Sequence, residues 1–179
     1  KGKALANEIR GVQAMYFAYQ DRFRAVPGDD PRVATNLGGS TAPTPATEGN
    51  GRIDTGTWVG LAAPTATDES SLFWQHVRLA GLANGDVTLG RGENAMSGRL
   101  GITSNAARVT TPANVTGSTA ICTSGIEGKL ARQLDYAMDD GIGTTGAMFA
   151  AVDAGTPIVA ATVAAAYVDT SLYTVCMVF

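Results

Sequence analysis

Three aspartates, Asp135, Asp139 and Asp140, gather where the third helical pattern of the chain runs out. Asp135 and Asp139 stand four apart and share a helix face. Carboxylates beside a flexible glycine turn are the kind of oxygen set that calcium takes together with backbone carbonyls, which makes these three the calcium candidates of the chain. A solvated acidic face is the competing reading and the preferred one, because such pairs are seldom ligands. The stretch "EGNGRID", Glu48 to Asp54, is also oxygen-rich, but it lacks the acidic spacing of a calcium loop. "GIGTTG", Gly141 to Gly146, matches the letters of a dinucleotide-binding turn. That chemistry needs a strand before the motif and a helix N-terminus after it, so that backbone amides face the pyrophosphate. Here a helix precedes and a strand follows, so the motif reads as a connecting turn.

His76 is the only histidine, and it falls mid-helix near Trp74. With no G-x-S-x-G and no H-x-x-x-H, it reads as a surface or partly buried helical residue rather than a base. Cys122 and Cys176 have no C-x-x-C geometry and no histidine pair, which argues against zinc. They are either one disulfide or two buried thiols. A bridge over that span would add roughly 4 kcal/mol by the chain-entropy argument. Asn114-Val115-Thr116 is a glycosylation sequon, with meaning only in a eukaryotic secretory host. No catalytic constellation emerges, and the chain does not read as an enzyme; no cofactor is expected beyond the calcium candidates.

The elements that would position these residues come next. Leu5, Ile9, Val12, Tyr16, Tyr19 and Phe23 step by four and three alternately, an apolar seam along one helix face. The seam is expected to lie on the domain's own core, with an assembly helix as the second reading. Pro27 and Gly28 are expected to stop it. Residues 28–66 read as a long Gly-, Pro- and Thr-rich loop, of the kind that is functional or mobile. "DESSLFWQHVRLAGL" predicts a second helix, capped by Asp68 or Thr67, with Glu69 in its first turn and Leu72, Phe73, Val77 and Ala80 on its apolar face. Gly81 or Gly85 would end it.

"RLGITS", "ARVTT" and "STAIC" predict short strands. "SGIEGKLARQLDYAMDDG" predicts a third helix, with Ser124 and Glu127 as a capping box and Ile126, Leu130, Leu134 and Met138 as its apolar positions. "AMFAA", "PIVAATVAAAYV" and "SLYTVCMVF" read as strands. The last is apolar on both alternations, which calls for burial on both faces or one face in a subunit contact. The fold class is α+β in a single domain over residues 1–179: a long N-terminal amphipathic helix on a C-terminal antiparallel sheet, with short helices and long loops between.

At 45% hydrophobic and 16% charged residues, the chain is too apolar to be disordered. It has no run of about 18 apolar residues that could span a bilayer. A net charge of −3 with scattered basic residues leaves no nucleic-acid footprint.

The helix seam, "FRAVPGDDP", "GNGRI", "ESSLFWQHVRLAGL", "LARQLDYAMDDGIGTTGAMFA" and a terminal cysteine occur in this order. Taken together, this order resembles the type IV pilin and pseudopilin family of bacterial prepilin-type proteins, which are cleaved and methylated at their N-termini. The resemblance spans nearly the whole chain except residues 87–121. It implies the pilin fold, with residues 1–24 as the C-terminal half of a spine helix and 28–66 as a variable loop region. It further implies a Cys122–Cys176 disulfide bounding residues 122–176, and a leader and apolar half-helix that are not in this sequence. The abrupt start of the first helix would then reflect truncation for solubility.

The implied partners are other subunits, the pilus or secretion assembly machinery, and the inner membrane through the missing segment. The implied location is inner membrane and periplasm, then a surface filament. The implied role is a structural filament subunit for adhesion, motility or attachment. Alternatives within the family are a minor pilin at a tip, using residues 28–66 to bind, or a pseudopilin of a type II secretion system acting in protein export. The calcium site that major pseudopilins carry near the C-terminus is not carried over to residues of this chain. On this reading, a charge at Leu5 or Ile9 is expected to impair assembly more than folding.

Overall fold

A computed structural model describes residues 1–43, 48–105, 109, 117–153 and 166–179. Helix α1 (Gly2–Phe23) is followed by α2 (Val33–Leu37), α3 (Glu69–Leu79) and strands β1 (Gly92–Glu93), β2 (Arg99–Thr103) and β3 (Ala120–Glu127). Helix α4 (Gly128–Met138), β4 (Met148–Val152) and β5 (Leu172–Val178) follow among the described residues. The strands form one antiparallel sheet in the order β1-β2-β3-β5-β4. The α+β class with a long first helix and an antiparallel sheet is therefore present.

Helix α1 buries Leu5, Ile9, Val12, Tyr16 and Tyr19, while Phe23 is half-buried. The seam faces the domain's own core. The helix ends at Phe23, before Pro27: Arg24 turns left-handed at φ 54° and its N–H closes on the Gln20 carbonyl. Gly28 then passes so close to α3 that a Cβ on it would sit 2.4 Å from the Glu69 carbonyl oxygen. Helix α3 starts at Glu69 because Asp68 caps it, its carboxylate accepting from the Ser71 N–H.

The third helix starts later than its sequence pattern predicts. Ser124, Gly125, Ile126 and Glu127 finish β3 instead of opening α4, and Glu127 makes no side-chain cap bond. Ile126 pairs with Tyr173 of β5, and the register shift between Thr123 and Ile126 is absorbed at Gly125, φ +72°. The Ser124 hydroxyl accepts from Arg99 N–H across the sheet. Long-range pairing has taken the residues that local capping would have used.

Both faces of the central strands are covered. Ile121, Met148, Ala150, Tyr173, Val175 and Met177 join α1 and α4 in the main core. Cys122, Phe149, Cys176 and Val178 point the other way and pack with Trp58. The double-sided apolar pattern of the tail is thus accounted for within the domain, without a subunit contact. The main chain of Trp58 crosses β2 at Gly101, where a Cβ would lie 1.6 Å from the Trp58 carbonyl oxygen. The strands predicted from "ARVTT" and "PIVAATVAAAYV" lie outside the described residues, apart from Val109 and residues 166–168, which are irregular. The sequon at Asn114 also lies outside them.

Candidate functional site

The first helix and the loop it anchors form the candidate site. Opposite its buried seam, α1 leaves Ala4, Asn7, Arg10, Ala14, Phe17, Ala18 and Asp21 exposed. Phe17 is 49% exposed and stands edge-on to Tyr16 and Phe179. A charge at Leu5 or Ile9, expected to impair assembly more than folding, would strike the fold itself, because both side chains are fully buried. Any surface that α1 offers to a neighbour is the Phe17 face, not the seam.

Residues 28–66 do not form a free loop where described. Val33, Ile53 and Trp58 are buried, and buried acids tie the backbone down. Asp29 accepts from the N–H groups of Gly49 and Gly51, both at 2.6 Å, so the "GNG" turn wraps a carboxylate of its own chain. Burial pushes the Asp29 carboxyl up, and these N–H bonds pull it back. Asp30 accepts from the Tyr19 hydroxyl at 2.9 Å and from the Asn36 amide at 3.2 Å, joining α1 to α2. Glu69 accepts from Asp54 N–H and Thr55 N–H.

His76 is fully buried, not a surface residue. Its Nδ1 accepts from Gly28 N–H at 2.9 Å, which fixes Nε2 as the donor to the Thr41 carbonyl, also 2.9 Å. The ring lies parallel to Tyr19. Burial pushes its pKa down to about 4, against the raising effects of the Thr41 bond and the Asp30 charge. With both nitrogens engaged by backbone, the ring clamps the start of the loop to α3. The sequence did carry a signal, since His76 stands four after Leu72 and three after Phe73, on their face.

The predicted acidic trio does come together: one carboxylate oxygen from each of Asp135, Asp139 and Asp140 lies within 4.8 Å of the others. The three environments differ. Asp135 is fully buried and accepts from Gly141 N–H and the Tyr167 hydroxyl. Its carboxyl is raised by burial. Asp139 accepts from Ala147 N–H and Met148 N–H. Asp140 is exposed and accepts from Ile142 N–H and Thr145, which lower its carboxyl. These bonds shape the "GIGTTG" turn between α4 and β4. Ala150 N–H also bonds to Gly143 O, so the turn covers the β4 edge.

Cys122 and Cys176 form a disulfide directly across β3 and β5. A concavity of about 590 Å³ lies at the end of α1 between Arg24, Asp29 and Arg32. Asp29 there is occupied by backbone donors, and among the described residues no nucleophile–base pair faces it. No helix is long and apolar enough to cross a membrane among the described residues. No family model, curated protein or solved structure matches the chain.

Proposed function

We propose that this chain is a structural subunit of a type IV pilus-like filament, polymerising through its first helix. The observation that carries the reading is the division of α1: one face buried in the domain, the other bare along its length with Phe17 half-exposed. A helix committed to its own domain on one side only is suited to pack on neighbours with the other. The ordered motifs from "FRAVPGDDP" to the terminal cysteine support the same reading. Subunits of the same kind are the partners, with assembly in the bacterial envelope and the filament at the cell surface. The test is Phe17→Glu in the full-length protein. Loss of fibres with unchanged thermal stability of the domain supports the reading; normal fibres from a well-expressed variant defeat it.

A further inference from the structure

The chain contains three steps in which Asn or Asp precedes Gly: Asn50–Gly51, Asn84–Gly85 and Asp140–Gly141. Such steps are chemically labile because glycine has no Cβ to hinder its amide nitrogen from approaching the neighbouring side-chain carbonyl. Two of the three are held. Gly51 N–H donates to Asp29 Oδ2 at 2.6 Å, and the Asn50 side chain is pinned at both ends, accepting from Arg52 N–H and donating to Asp54. Gly141 N–H donates to buried Asp135, and the Asp140 carboxylate is bonded to Ile142 N–H and Thr145.

Asn84–Gly85 differs. Among the described residues neither the Asn84 side chain nor Gly85 N–H has a hydrogen-bond partner, and both residues are exposed. Arg78 lies against the step: a Cβ on Gly85 would be 3.1 Å from Arg78 Nε, a buried donor with no partner of its own. A cation there favours the negative charge that develops as the amide nitrogen attacks.

We propose that Asn84 is a site of spontaneous modification, converting to aspartate and isoaspartate while the other two steps stay intact. Gly85 N attacks Asn84 Cγ, a new N–Cγ bond forms, and the side-chain amide leaves as ammonia, taking up the Gly85 proton. Water then opens the cyclic imide. Attack at Cγ gives aspartate, and attack at the Asn84 main-chain carbonyl gives isoaspartate. One water is consumed and one ammonia released, with no enzyme or oxidant. The product adds a carboxylate to a groove of about 410 Å³ that Asn84 shares with Glu8, Glu93, Met15 and Trp74 along α1. The modification does not depend on filament formation.

The test is peptide mass spectrometry of the intact folded protein aged at mildly alkaline pH, beside the same protein aged in denaturant. In the folded protein, Asn84 should convert about tenfold or more faster than Asn50, the effect of one charge-assisted hydrogen bond on Gly51. In denaturant the two rates should converge. Equal rates in the folded protein, or faster conversion at Asn50, overturn the proposal. So does a rate difference that persists in denaturant, because the fold would then not be its cause.

Discussion

Acidification should loosen this domain through one residue, His76. Nδ1 can accept from Gly28 N–H only while the ring is neutral, and burial holds the ring neutral down to about pH 4. In the unfolded chain the ring takes its proton near 6.5. Above the unfolded value both states are neutral and the ring adds no pH dependence. As pH falls from 6.5 towards 4, the unfolded chain binds a proton that the folded chain refuses. Stability is lost across that window and levels off below it, for a total of about 3 kcal/mol. The raised carboxyls of Asp29 and Asp135 act in the opposite sense, so the comparison needs a variant in which only the ring is changed. His76→Gln keeps an acceptor and a donor but does not titrate. Urea unfolding of both proteins across this range is the assay. The variant should be less stable by about 1–2 kcal/mol near neutrality, and the gap should close or reverse towards pH 4. Parallel pH profiles for the two proteins, or an imidazole NMR titration with its midpoint near 6.5, would refute the reasoning.

Other perturbations follow from the packing. Leu5→Ala should cost about 2–5 kcal/mol in chemical denaturation, and Ile9→Glu should leave no folded domain by circular dichroism, since both positions are fully buried. Replacing Cys122 and Cys176 together by alanine should remove roughly 4 kcal/mol of stability, read against the oxidised protein. Gly101→Ala should destabilise by about 3 kcal/mol, because its Cβ meets the Trp58 backbone rather than a side chain that can swing away. A variant as stable as the parent would mean that Trp58 does not cross the sheet there.

Legibility followed the range of the interactions. The α1 seam could be read because helical periodicity is local, and the Asp68 cap because donor and acceptor stand three residues apart. The two-sided apolar pattern of β5 was visible, though only the folded sheet reveals that Trp58 and the disulfide cover its second face. Ser124–Glu127 misled because a sound capping box competes with pairing to β5, a strand more than forty residues away in the sequence. The anchors of residues 28–66 were hidden for the same reason: Asp29 closes a turn about twenty residues on, and His76 holds Gly28 and Thr41 from another helix. The acidic trio was legible as a cluster, but the distinct bonds of its three carboxylates depend on Tyr167 and on the turn leading into β4.

The most direct test of the filament reading is immunogold electron microscopy of fibres sheared from the host, using antibody to this chain and a strain lacking its gene. The reading predicts fibres labelled along their length and absent from the deletion strain. Unlabelled fibres that persist in the deletion strain, with the chain recovered only as a free monomer, would contradict it.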